Sequence, residues 1–477
     1  MSIAVALAGV LVLVLFAVGL VVVKPGPVAG WLGGDPARPT TVVDPPEPAP
    51  GPVLAALDGT APAPTGDGLK RALDALVDDN GLGGRTSVSV RDVVTDQVLY
   101  ASGADTPTVP ASTMKLVTAA TVLAARGPAY RIPTRVVAGP KPGEVIIVGG
   151  GDPTLSIDAN GFYPGAARLD RLAAATRAAL GGVAPTKVYY DSSLFSGPVY
   201  EPGWDSDIPT GGFGGPTTAL MTNGARISVK KTSNGYAERY SKPDEAAAQL
   251  FAKALGVAGK PERAPAGAVL AAGATPAAGP GGTASPGAEL ARVESPPMVR
   301  LIEFMLVDSD NVVAEALARQ VALSKGQPGS YAGARTAMTQ TLGELGLPTT
   351  GLVLADGSGL SRTDRLTASV QTELLALAAS GRRPELSAIF PGLPVAAWSG
   401  TLDDRFADPA DQKAAAGVVR AKTGTLTGNH AIAGVVTTAD GRLLAFSVLT
   451  DGVTAGGEAA HEALDRIAAT LAACGCR

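Results

Sequence analysis

The chain is short of the side chains that most enzymes use for imidazole, metal and redox chemistry. Its 477 residues include two histidines, His430 and His461, and two cysteines, Cys474 and Cys476. One glycine separates the cysteines at the extreme C-terminus, a spacing that suits neither a zinc site nor a redox Cys-x-x-Cys pair. They are expected to close a small loop or to pair between molecules. Two imidazoles leave little scope for histidine-rich metal binding, and no cofactor or metal is expected. Net basic charge is also missing: the formal value is −4, which argues against nucleic acid as a partner because phosphate binding needs a basic surface. Any reaction must therefore draw on Ser, Lys, Asp, Glu or Asn. With 46% hydrophobic residues, a chain of this length can build two or three cored domains.

Charge is absent altogether from residues 1–23, which run almost entirely apolar from Ile3 to Val23. At about 1.5 Å per residue such a helix spans about 30 Å, the thickness of a bilayer core. A cleavable signal peptide carries a basic leading region and a shorter apolar core, whereas only Met1 and Ser2 precede this run. Residues 1–23 thus read as an uncleaved transmembrane signal anchor, with a cleaved signal peptide as the alternative, and the rest of the chain as exported. Residues 24–66 are rich in Pro, Ala and Gly and read as a spacer.

Beyond the spacer the pattern is that of a folded α/β (α+β) protein. "LKRALDALVDD" has helical spacing and stops at Asn80-Gly81. "TSVSVRDVVTDQVLYAS" alternates as two strands about Thr95-Asp96. Residues 112–126 read as a helix closed by Gly127-Pro128. At the far end, "GVVRAKTGTL", "HAIAGVVTTADGRLLAFSVLTDG" and "EAAHEALDRIAATLAAC" read as strand, hairpin and helix. Strands from both chain ends, flanking a helical middle, imply an antiparallel sheet with helices on its faces. Residues 140–240 are glycine-rich and strand-like, and 259–287 form an Ala/Pro/Gly-rich stretch expected to be a mobile loop. The expected division is 67–137 with 291–477 as the main domain and 138–290 as a strand-rich insertion.

Three short motifs carry chemistry. Ser112-Thr113-Met114-Lys115 opens an Ala-rich apolar helix, and a separation of three sets both side chains on one helical face. Alone, this motif reads as a capped helix start. A second Ser-x-x-Lys, Ser228 to Lys231, lies in a strand-like segment whose i and i+3 side chains face opposite ways. Ser309-Asp310-Asn311 alone reads as a turn or cap. Lys422-Thr423-Gly424-Thr425 alone reads as an edge strand guarded by a lysine. In this order, however, Ser-x-x-Lys, Ser-Asp-Asn and Lys-Thr-Gly form the set shared by penicillin-binding proteins and related β-lactamases.

At these residues the chain resembles the penicillin-recognising serine enzymes, and most of all the low-molecular-mass class C D-alanyl-D-alanine carboxypeptidases, peptidase family S13. That family inserts extra domains between its first and second motifs. The separation here, 309 − 112 = 197 residues, fits such an insertion. "GGGDPTL", "SDNVVAEAL" and "DGSGLSR" are similar to the family as well. The resemblance implies a penicillin-binding, serine β-lactamase-like transpeptidase fold that acts on peptidoglycan stem peptides through an acyl-enzyme. It implies β-lactams as covalent inhibitors and an exported enzyme working outside the cytoplasm.

A hydroxyl needs a base to become a nucleophile at neutral pH, and with so few histidines Lys115 is the candidate. A free lysine has a pKa near 10.4; burial and repulsion from Lys422 are expected to bring it towards about 7. Ser112 and Lys115 are then nucleophile and base, with Ser309 relaying a proton to the leaving amine. The resemblance implies that Asn311 binds the substrate backbone. Lys422, Thr423 and Thr425 suit a terminal carboxylate, and Gly424 permits close approach to the strand. The resemblance also implies that the backbone N–H groups of Ser112 and Thr425 form an oxyanion hole. A D,D-endopeptidase would use the same residues. A catalytically inactive wall-binding protein would be expected to lack one of them, and none is missing.

Overall fold

A computed structural model describes residues 59–232, 237–268, 285–407 and 412–477. Helix α1 (Gly66–Val77) opens on Thr65, whose hydroxyl accepts from the Gly68 N–H, a side-chain cap. It stops at Val77; Asn80–Leu82 follow as a separate 3₁₀ turn. Strands β1 (Arg85–Asp92) and β2 (Val98–Ser102) form the expected hairpin, with Asp96 at φ 61° in its turn. A 3₁₀ turn at Ala111–Thr113 runs into α2 (Met114–Arg126). Next come β3 (Pro133–Ala138), β4 (Glu144–Val148), α3 (Leu169–Ala179), β5 (Lys187–Asp191), α4 (Pro243–Leu255), β6 (Glu262–Arg263) and β7 (Glu289–Glu294). Helices α5 (Met298–Val307), α6 (Asn311–Ser324), α7 (Tyr331–Glu344) and α8 (Ala368–Ala379) make up the helical part. Strands β8 (Val419–Leu426), β9 (Asn429–Thr437) and β10 (Leu443–Asp451) and helix α9 (Gly457–Ala473) complete the order.

The first sheet has the order β2-β1-β10-β9-β8 and is antiparallel throughout. It is the expected sheet drawn from both chain ends, joined where Arg85 to Asp92 pair with Asp451 to Leu444. Period-two alternation divides its side chains between two layers. Val88, Val90, Ile432, Val436, Phe446 and Val448 pack against Leu69 and Leu73 of α1 and Leu464, Ile467 and Leu471 of α9. On the other face polar contacts fix α8: Ser89 Oγ meets Thr372 Oγ1 at 2.8 Å, and Ser447 Oγ donates to Gln371 at 2.7 Å. The helical core then gathers around α2, α5, α6, α7 and α8.

The second sheet has the order β6-β5-β4-β3-β7, with β4-β5-β6 parallel and the β3 pairings antiparallel. It carries its own core with α3 and α4 on one face. Much of 140–240 is not strand. Only β4 and β5 extend there, and α3 interrupts them because Leu169, Leu172, Ala173 and Thr176 recur at helical spacing and are all buried. The anchor expected at 1–23 lies outside the described residues, as does most of the spacer and of the loop expected at 259–287. No helix among the described residues is long and apolar enough to cross a membrane. Cys474 and Cys476 are joined by a disulfide.

Candidate active site

Ser112 sits in the 3₁₀ turn rather than inside the α-helix, and the following helix is not capped by its hydroxyl. Ala111, just before it, is held at φ 46°, a conformation that a non-glycine residue keeps only where its surroundings enforce it. Three contacts enforce it here. Gln371 Nε2 donates to Thr113 Oγ1 at 2.8 Å, and Thr113 Oγ1 donates to the Pro110 carbonyl at 2.7 Å. Gly359, at φ 82°, lies so close that a Cβ there would come within 1.8 Å of the Ala111 carbonyl oxygen. The turn is thereby wedged between α8, β8 and the 356–362 loop.

Lys115 follows one turn later and is fully buried. Its Nζ lies 3.0 Å from Ser112 Oγ, 2.6 Å from Asn311 Oδ1 and 2.8 Å from the Ser358 carbonyl oxygen. The last two partners only accept hydrogen bonds. A neutral amine that gives its two N–H groups to them has one lone pair left, and that lone pair faces Ser112. Burial drives the Lys115 amine down to about 8, against the opposing pull of Asp356, Glu315, Asp310 and Asp364. Repulsion from Lys422 is not among the causes. It appears instead on Lys422, which burial, then Lys115 and Arg405, depress well below the usual lysine range.

Asn311 starts α6, separated from α5 by the break at Asp308–Asp310. Ser309 turns that corner at φ 53°. Asp310 caps α6 through the Val312 and Val313 N–H groups while its other oxygen accepts from Tyr163 Oη at 2.7 Å and Arg226 Nη2 at 2.9 Å. Burial pushes its carboxyl up, but the Arg226 and Arg239 guanidiniums, with the Tyr163 hydroxyl and the Val313 N–H, hold it below the ordinary range. The middle residue of the motif thus fixes its two neighbours rather than facing a ligand. Asn311 Nδ2 donates to the Phe213 carbonyl at 2.9 Å.

A cleft of about 440 Å³ is lined by Ser112, Ser309, Asn311, Thr401, Thr423 and Thr425, among others. All three motifs converge on it. Lys422 and Gly424 line it at neither position. Lys422 is fully buried and donates to its neighbour's Thr423 carbonyl at 2.8 Å, so of the four residues 422–425 only the two threonines present side chains to the cleft. A Cβ on Gly424 would meet the Pro110 carbonyl oxygen at 2.9 Å and the Ser112 nitrogen at 3.0 Å. Its small size therefore lets β8 close on the Ser112 turn, and the approaching group is this chain's own backbone. The rival Ser228 is exposed in irregular chain, and Lys231 pairs with Asp308 instead. Among the described residues no group of His, Cys, Asp and Glu is arranged to hold a metal ion.

Sequence reasoning missed the Ser358 and Phe213 carbonyls, because a backbone acceptor has no side-chain signature. It also missed Thr401, whose hydroxyl meets Thr423 Oγ1 at 2.6 Å. "DGSGLSR" was the one available signal for the first of these.

A serine-bearing turn, a buried lysine and a facing strand between an all-antiparallel sheet and a helical layer are the arrangement of a serine hydrolase of the penicillin-binding, β-lactamase-like fold. The model of the D-Ala-D-Ala carboxypeptidase 3 (S13) family matches residues 69–254 and 232–474. The chain belongs to that family, as its motifs led one to expect. It is 37% identical over 442 residues to carboxypeptidase DacB of Mycolicibacterium smegmatis, covering 91% of this chain and 90% of that one. A carboxypeptidase of Mycobacterium tuberculosis is 38% identical over 426 residues, covering 87% and 86%. Penicillin binding protein 4 of Haemophilus influenzae shares the fold with a TM-score of 0.65 at 21% identity, over 85% of this chain and 98% of its own. The protein is thus a serine-type D-Ala-D-Ala carboxypeptidase, a hydrolase acting outside the cytoplasm.

Proposed function

We propose that Ser112 is the nucleophile and Lys115 the base that removes the terminal D-alanine from peptidoglycan stem peptides. The observation that carries this is the 3.0 Å contact between the Ser112 hydroxyl and a fully buried amine whose other two partners are acceptors only. Lys115 takes the hydroxyl proton as Oγ attacks the penultimate carbonyl. The N–H groups of Ser112 and Thr425 stabilise the oxyanion. Ser309, at the corner of the cleft, passes a proton to the leaving amine, and Asn311 holds Lys115 before it meets the substrate backbone. Thr423 and Thr425 bind the terminal carboxylate by their hydroxyls, with the buried Lys422 packed behind them and Gly424 letting β8 close on the turn. Water then releases the acyl group; β-lactams, which mimic the substrate, stay on Ser112.

The uncharged run 1–23 supports a membrane anchor, and 24–66 a tether that brings the peptidase domain to the wall. In this reading 67–137 and 291–477 form that domain and 138–290 an insertion, whose sheet borrows β3 and β7 from the residues flanking it. The test is D-alanine release from purified muropeptides ending in D-Ala-D-Ala, with crosslinked dimers alongside. Release from monomers and none from Ser112→Ala is expected. Cleavage of dimers alone would assign an endopeptidase, and no cleavage of either would overturn the proposal.

A further inference from the structure

Beneath Lys115 lies a buried carboxyl that the mechanism above does not use. Glu315 stands four residues after Asn311, on the same face of α6, and is 1% exposed. Its Oε1 accepts the N–H groups of Gly357 at 3.1 Å and Ser358 at 2.9 Å. The carbonyl of that same Ser358 accepts from Lys115. From α2, Thr118 Oγ1 donates to the Gly357 carbonyl at 2.6 Å, so the 357–358 peptide is clamped from both helices. Asp356 Oδ1 accepts from the Ser358 and Gly359 N–H groups in the same turn, while its Oδ2 accepts from the Ser361 N–H and from Trp204 Nε1 at 2.7 Å.

We propose that Glu315 is a positioning residue for the reaction: by gripping these two N–H groups it aims the Ser358 carbonyl at Lys115, and so keeps the amine's lone pair on Ser112. This rests on the reading of Lys115 as the base. Facing Glu315 are Arg319 of its own helix, at 3.5 Å, Asp356 of the 356–362 loop, Tyr331 of α7 and Lys115 of α2. Around Lys115 stand Asp310, Asp356, Asp364 and Glu315, with Lys422 across the cleft wall. Burial and then Asp356 raise the Glu315 carboxyl to about 8; above that pH its charge favours the protonated form of Lys115.

The test is the second-order rate of acylation of the full chain by benzylpenicillin, followed against pH. Glu315→Gln keeps an oxygen for both N–H groups but removes the charge. Its plateau rate is expected within about threefold of wild type, with the ascending limb moved to lower pH. Glu315→Leu removes the grip. Acylation is expected to slow by more than about tenfold, while KM for a muropeptide changes less than about threefold. A folded Glu315→Leu that acylates at the wild-type rate would overturn the proposal. If that variant does not fold, Glu315→Gln decides: a folded variant that keeps the grip yet has a plateau rate more than about tenfold below wild type overturns it. Wild type that takes no adduct would instead overturn the base assignment itself.

Discussion

A lysine amine buried beside a serine is costly to keep, and the cost has a definite pH signature. The folded pKa of Lys115, about 8, is below the unfolded value of 10.5. As pH falls through that interval the unfolded chain takes up the proton first, so folded stability drops between about 10.5 and 8 and is then constant. The loss is on the order of 3 kcal/mol. Lys115→Met is expected to flatten this dependence in urea unfolding midpoints measured across the interval while abolishing acylation. Acylation by wild type is expected to rise with pH through about 8, as the amine loses its proton. Lys115→Arg, which cannot deprotonate, is expected to lower the rate at least about a hundredfold in stopped-flow traces. The meeting of Ser112 and Lys115 was legible in the sequence because side chains three apart on a helix share a face. The environment that tunes Lys115 was not, since Asn311 and the Ser358 carbonyl reach it from 196 and 243 residues away.

At the level of elements, the site depends on where helices break and how closely a strand approaches. Helical spacing recurs in the sequence across 296–324, and the structure divides it at Asp308–Asp310. The break is stabilised by what Asp310 gathers there: a helix cap, Tyr163 and Arg226. Asp310→Ala would strip two N–H caps and leave the side chain of Arg226, itself nearly buried, without its carboxylate. Such losses cost about 3–5 kcal/mol, to be read as a fall in melting temperature accompanied by loss of acylation. Gly359→Ala would place a Cβ within 1.8 Å of the Ala111 carbonyl oxygen at a φ that side chains resist. It is expected to move the nucleophile turn and to slow acylation more than it raises KM. A glycine's role of this kind is invisible in sequence, because the atom it must avoid lies about 250 residues away in the chain.

For the whole molecule, the main sheet closes only when both chain ends meet. Arg442, from the β9–β10 turn, donates to both oxygens of the buried Asp92 at the end of β1, at 2.8 and 3.0 Å. A chain ending at residue 418 would lose β8, β9 and β10 and with them the partner of β1; circular dichroism and proteolysis are expected to show it unfolded. That closure was readable from strand patterns at the two termini. The mixed topology of the second sheet was not, because parallel pairing across α3 leaves no local signal at its edges. Three stretches of chain, around 112, 310 and 423, meet at one cleft through this architecture, and the account stands on their acting together. Intact-mass measurement after exposure to a β-lactam tests this most directly. One covalent adduct per wild-type chain and none on Ser112→Ala is the predicted result; an equal adduct on Ser112→Ala would contradict it.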